Sequence, residues 1–259
     1  MQDFLSVLSG GFVGFVLGLV GGGGSIIAVP LLLYLVGIPA AHTAIGTSAV
    51  AVSLSAFANL INQARSGLVK WPCAAAFAAS GVFGTIIGSY AALQLPGARL
   101  VALFGALMIG VGVLMLLRKD AEGDPNVRLT LKTAKSMLPW LIPAGLMVGT
   151  LSGFFGIGGG FLIVPALIFA TGMPIRNAIA TSLVAIVVFG AATAANYAYA
   201  GEVDWNLAGF FVGGGIAGGI AGTFAGKALS GHKAALQLVF ALFVIATGVY
   251  VIYKAVASA

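Results

Sequence analysis

Two short stretches of this chain concentrate backbone that could bind a ligand without a charged side chain. Gly21-Gly22-Gly23-Gly24-Ser25 and Gly156-Ile157-Gly158-Gly159-Gly160 each interrupt a long apolar run. Glycine weakens a helix and lets a ligand approach the main chain closely. An apolar segment follows each cluster, starting at Ser25 in one case and at Gly160 in the other. Its first turn offers unpaired N–H groups and the positive end of a helix dipole. Such an end can hold an oxyanion with no Lys or Arg. The candidate substrate-binding positions are therefore Gly22, Gly23, Gly24 and Ser25, with Gly158, Gly159 and Gly160. Ser25 could donate its hydroxyl or cap its helix. The carbonyl end of the preceding helix reaches the same loop and could hold a cation such as Na⁺, so the sign of the ligand stays open. The plainer alternative is that these glycines only permit close packing. That reading is preferred for Gly10/Gly14/Gly18, Gly84/Gly88 and Gly214/Gly218/Gly222/Gly226, whose spacing suits tight helix contacts.

Hydroxyls are the next candidates. "AIGTSAV" and "AIATSLV" put Thr47-Ser48 and Thr181-Ser182 about two turns into a helix, where they could complete an oxyanion site. A hydroxyl bonded back to its own helix carbonyl is the alternative. His42 and Arg176 follow matching Gly-x-Pro turns and could attract or gate an anion, or simply be solvated charges at an interface. Asn62 and Asn196, near the far ends of their helices, could gate or pin. Asn59 and Gln63 lie beside Asn62, Gln237 reads as packing, and His232 beside Lys233 reads as solvated. Trp71 and Trp205 open matching helices, as interfacial anchors do. Apart from Asp3, no Asp or Glu falls inside an apolar segment. Carriers that move protons often use such acids; without them, a proton would have to travel on the substrate.

The elements that must position these residues follow from composition. Of the 259 residues 60% are hydrophobic and only 7% charged, and mean hydropathy is +1.12. A soluble domain carries roughly 25% charged residues. The long apolar runs with charges collected between them predict an all-α polytopic membrane protein in the lipid bilayer. The alternating segments of a β-barrel are absent from the sequence. A formal charge of +6 reads as the positive-inside signal rather than as a nucleic-acid surface. Cys73 is the single cysteine, which excludes an intramolecular disulfide and zinc-type clusters. No cofactor or metal is expected. Met1-Gln2-Asp3 lacks a basic region, so no cleaved signal peptide is expected either. One cysteine, two distant histidines and no buried carboxylate argue against a membrane enzyme.

The chain is written twice. Pairing Gly14–Pro39 with Gly149–Pro174 gives 10 identities in 26 positions, including Gly21/Gly156, Gly23/Gly158, Gly24/Gly159 and Pro30/Pro165. Pairing Ala44–Trp71 with Ala178–Trp205 gives 12 in 28, including Thr47/Thr181, Ser48/Ser182, Asn62/Asn196 and Trp71/Trp205. One transmembrane domain over 1–259 is expected, with repeat A at 1–117, a cytoplasmic linker at 118–137 and repeat B at 138–259. Each repeat reads as five apolar segments, 8–10 helices in all, and the second segment of each is too short to cross a ~30 Å hydrocarbon core. Two topologies compete: parallel repeats if segments one and two make one broken span, inverted repeats if they make a hairpin. With the linker cytoplasmic, the inverted arrangement puts Arg65, Lys70, five linker residues, Arg176, Lys227 and Lys233 inside and only Arg99 and Lys254 outside. The parallel arrangement splits the charges 8 to 4. The loop "GLVKW" against its copy "GEVDW" points the same way. We therefore expect inverted repeats with both termini outside, and two interrupted helices meeting near mid-membrane.

The duplicated Gly-rich-then-Pro pattern followed by Ala-x-x-Thr-Ser resembles the sulfite exporter TauE/SafE family of anion permeases. The residues that carry it are "GLVGGGGSIIAVPLLLYLVGIPAAHTAIGTSAV" and "GTLSGFFGIGGGFLIVPALIFATGMPIRNAIATSLVAI". The resemblance spans nearly the whole chain. It implies a multi-pass inner-membrane transporter of sulfite, organosulfonates or related sulfur anions, usually with seven or eight spans, fewer than five segments per repeat would give. The function expected is secondary transport or facilitation of a small inorganic or organic anion, in the export direction, by alternating access. Uptake of another anion such as a carboxylate is the alternative. A coupling ion, H⁺ or Na⁺, and the oligomeric state are left open.

Overall fold

The computed structural model describes residues 1–20, 22–117, 127, 129–228 and 233–257. Gly21, His232 and most of the linker, 118–126 and 128, lie outside the described residues, as do the side chains of Lys227 and Gln237. Ten helical segments follow in chain order: α1 (Gln2–Val20), α2 (Gly24–Val36), α3 (Ala41–Arg65), α4 (Trp71–Leu93), α5 (Gly97–Leu117), α6 (Leu131–Phe155), α7 (Gly160–Thr171), α8 (Ile175–Tyr199), α9 (Trp205–Ala228) and α10 (Lys233–Ala257). Among the described residues eight are long and apolar enough to cross a membrane, and α2 and α7 are the two short ones. Ten segments thus reconcile with eight spans, because the second arm of each half is short. No strand occurs among the described residues.

Missing side chains decide which helices touch. Lipid tails supply no hydrophobic drive for one helix to seek another, so close backbone approach must hold the bundle together. A methyl group at Gly10 would run into the Phe211 carbonyl, one at Gly14 into Gly215 and one at Gly18 into Gly219. These contacts advance together along both helices, so α1 and α9 run parallel. In the matching seam Gly81 meets Gly145 and Gly149 meets Gly81, while Gly88 meets Thr150. So α4 and α6 also run parallel. The rows expected to serve packing do so wherever they are described.

The remaining large contacts join α3 to α8 and α5 to α10. Here the order reverses. A methyl at Gly46 would approach Tyr197 and Glu202, and one at Gly190 would approach Ser53. Gly105 faces Gly248, whereas Gly112 faces Ala241. Each of these helices therefore lies antiparallel to its own counterpart in the other half. Exchanging α1–α5 for α6–α10 turns the α1/α9 seam into the α6/α4 seam and returns α3/α8 and α5/α10 to themselves.

Loops lock this arrangement. The Asp204 N–H donates to Thr47 Oγ1 at 3.0 Å, and the Lys70 N–H donates to Thr181 Oγ1 at 3.0 Å. Each loop folds over the start of the central helix of the opposite half. Thr43 Oγ1 donates to Glu202 Oε2 at 2.6 Å at one end, and Asn177 Nδ2 donates to the Leu68 carbonyl at 2.9 Å at the other. Arg65, Lys70 and Arg176 thereby share one face of the molecule, while His42, Glu202 and Asp204 share the opposite one.

Candidate functional site

α3 and α8 are both 25-residue helices, and Val52 and Ile186 are the twelfth residue of each. Between them lies Gly158: a methyl there would be 3.0 Å from Ile186 Cγ2 and 3.1 Å from Val52 Cγ1. The second glycine cluster therefore reaches the middle of the two central helices. α7 packs against the turn Gly22–Ile27 that opens the first short arm.

The two breaks have different backbones. Gly156, Gly158 and Gly159 have φ of +65°, +63° and +67°, in the left-handed region where only glycine rests without strain. Gly156 ends α6 and its N–H donates to the Ser152 carbonyl at 2.9 Å. Gly159 opens α7, and its carbonyl accepts the N–H groups of both Leu162 and Ile163 at 2.8 Å. In the first half Gly22–Ile27 is a tight 3₁₀ turn, followed by a widened π turn at Leu31–Val36. None of Gly22, Gly23 or Gly24 has positive φ. Gly24 lies against the Val13 carbonyl and the Leu17 backbone of its own α1.

The hydroxyl residues divide by role. Ser48 Oγ donates to the Ile45 carbonyl at 2.8 Å and also to the Gly156 carbonyl at 3.1 Å, so it joins α3 to the second break. Ser182 Oγ donates to the Ile179 carbonyl at 2.8 Å. Thr47 and Thr181 hold the loop amides described above, a role that neither reading of the sequence contained. Ser25, Thr47, Ser48, Thr181 and Ser182 are all fully buried.

The weaker candidates lie away from this centre. Arg176 is exposed at the start of α8, ten residues before Ile186, roughly 15 Å along the axis. His42 stands equally far from Val52; its Nε2 is 3.2 Å from the Ala92 carbonyl and its ring stacks on Tyr197. Asn196 Nδ2 donates to Ser89 Oγ at 2.6 Å, pinning α8 to α4. Asn62 is exposed.

One residue was not singled out in the sequence. Ser152, on α6, is fully buried and its Oγ has no hydrogen-bond partner. That oxygen lies 3.1 Å from where a methyl of Gly159 would sit, so it is directed at the start of α7. Its position pairs with Leu17 in the first half. That mismatch inside an otherwise matched glycine motif was the signal available.

Signs can now be assigned to the groups around the second break. The Ser152 and Gly156 carbonyls both accept hydrogen bonds. The N–H groups of Gly160 and Phe161 precede the first carbonyl that α7 offers its own helix. The carbonyls of Gly153, Phe154 and Phe155 at the end of α6 lie beyond the last intrahelical N–H in the same way, so donors and acceptors both meet at this point. Among the described residues no group of metal-ligating side chains occurs.

Eight apolar spans around a buried turn of glycines and hydroxyls, with two short arms meeting inside, are the build of a multi-pass membrane transporter. A family model described as "Sulfite exporter TauE/SafE" matches residues 6–251, and the chain belongs to that family. It is 50% identical to a "Probable membrane transporter protein" of Xylella fastidiosa (strain 9a5c), over 98% of this chain and 96% of the relative. It is 26% identical to "Probable membrane transporter protein YunE" of Bacillus subtilis (strain 168), covering 79% and 81%. A "Probable membrane transporter protein" of Haemophilus influenzae is 29% identical over 69% and 67% of the two chains. No solved structure matches the chain significantly. The protein is thus a membrane transporter and not an enzyme.

Proposed function

We propose that this protein is a secondary transporter or facilitator that carries a small sulfur-containing anion, sulfite or an organosulfonate, outward across the inner membrane. The anion is held at the start of α7, by the N–H groups of Gly160 and Phe161 and the hydroxyl of Ser152. The observation that carries this reading is the fully buried, unpartnered Ser152 Oγ directed at the start of α7. The unpaired N–H groups and positive dipole end of a helix start favour an anion over Na⁺ at this position. The antiparallel pairing of α3 with α8 and of α5 with α10 supports inverted repeats. Arg65, Lys70 and Arg176 on one face support a cytoplasmic linker with both termini outside. Alternating access then consists of rocking one half against the other, with the Gly67–Lys70 and Gly201–Asp204 loops releasing Thr181 and Thr47 in turn.

The test is flux through the purified chain in proteoliposomes, with sulfite, sulfoacetate, thiosulfate and acetate as substrates. At least one sulfur anion is expected to outpace acetate. Gly158→Val should abolish that flux in protein that still folds. Unchanged flux in this variant would remove the second break from the pathway.

A further inference from the structure

The proposed site holds no charged side chain, and that bounds the charge its ligand can carry. Among the described residues, no Lys, Arg, His, Asp or Glu side chain is buried. Arg176 and His42 each sit roughly 15 Å along their helices from the level of Gly158. Positive potential at the centre comes from helix starts. Each supplies roughly half an elementary charge, and the turn Gly22–Ile27 that opens the first short arm packs against α7. The carbonyl ends of α1 and α6 at the same two breaks carry the opposite partial charge, so no formal positive charge stands at the centre. The cost of removing an ion from water rises steeply with its charge, and only partnered charge is tolerated in the interior. Neutral donors can hold one negative charge here, and no charged side chain is present to offset a second.

We infer that this transporter selects singly charged oxyanions by charge state, taking hydrogen sulfite and simple alkylsulfonates and rejecting doubly charged sulfite, sulfate and sulfoacetate. The inference rests on the site at the start of α7 proposed above. It also gives the missing membrane carboxylates a consequence: hydrogen sulfite brings its own proton across, and no proton relay in the protein is needed.

The experiment uses the full chain in proteoliposomes, with equal pH on both sides and the membrane potential clamped at zero. The probes are methanesulfonate, sulfite, sulfate and sulfoacetate. Methanesulfonate keeps a single charge throughout, and its flux is expected to be flat with pH. Sulfite flux at fixed total concentration is expected to fall about tenfold for each pH unit above the second ionisation of the acid. Sulfate and sulfoacetate are expected to move at least about tenfold more slowly than methanesulfonate, the discrimination expected of about one unpaired charge. Ser152→Ala serves as the control for the site. Sulfate or sulfoacetate moving as fast as methanesulfonate, and slowed together with it by Ser152→Ala, overturns the charge rule and leaves the site standing. So does a sulfite flux that is flat with pH. If no probe moves, or if all fluxes ignore both Ser152→Ala and Gly158→Val, the site fails and the charge rule falls with it.

Discussion

The two glycine breaks come from matching sequence and have become different objects. In the second half, three left-handed glycines make a true interruption between α6 and α7, and a buried serine on α6 points at the gap. In the first half, the described glycines stay in a continuous 3₁₀ turn against α1. The serine of that half, Ser25, sits on the short arm itself, where its counterpart is Gly160, while Leu17 stands opposite Ser152. One hydroxyl has in effect changed sides of the gap. The glycine seams behave otherwise, since α1/α9 and α4/α6 pack in the same way. Packing is thus common to the two halves, and the left-handed interruption with its unpartnered hydroxyl belongs to one.

The largest effect that tests this contrast belongs to the seams. Gly14→Val and Gly149→Val each drive a side chain into the backbone of a facing helix, at Gly215 and Gly81. Both should cost more than about 3 kcal/mol, read as loss of folded protein by thermal melting in detergent. A large inequality between them would break the equivalence of the seams.

Next come the breaks. Gly158→Ala forces a Cβ into the left-handed region beside Ile186 and Val52, and should cost about 1–2 kcal/mol with loss of flux. Gly23→Ala, in a turn with ordinary φ, should cost well under that and keep measurable flux. Equal losses would show that the asymmetry of the two turns has no functional meaning.

A smaller and more pointed effect is expected at Ser152. Its hydroxyl is buried without a partner, so Ser152→Ala removes a desolvated group and should stabilise the protein by about 1 kcal/mol while slowing anion flux. Lower stability in this variant would show that the hydroxyl is bonded within the fold. The smallest effects belong to the loop clamps. Thr47→Val and Thr181→Val each remove one hydrogen bond worth about 0.6 kcal/mol in a membrane interior, and the two losses should match. Unequal losses would place the difference between the halves in the loops as well as in the breaks.

The helical class, the short second arms and the glycine seams were legible in the sequence. Each is a local property: apolar length, an interruption, a small residue every fourth position. The Thr-Ser pairs were legible as polar residues inside a helix, but their use was not. Thr47 and Thr181 face loops of the opposite half, and no local pattern states which loop will fold over which helix. Ser152 went unnoticed because one serine in an apolar helix commonly bonds back to its own carbonyl. Only its surroundings show that this one does not.

What the sequence settled by itself was membrane residence, since a chain with so few charges has no soluble packing open to it. It also marked both glycine clusters as weak points of their helices, because glycine is costly to hold helical. Tertiary structure decided the direction of α8 against α3, the level at which Gly158 rests and which hydroxyl faces the second break without a partner. Those depend on which surfaces meet after the bundle closes, and on which carbonyls have found donors by then.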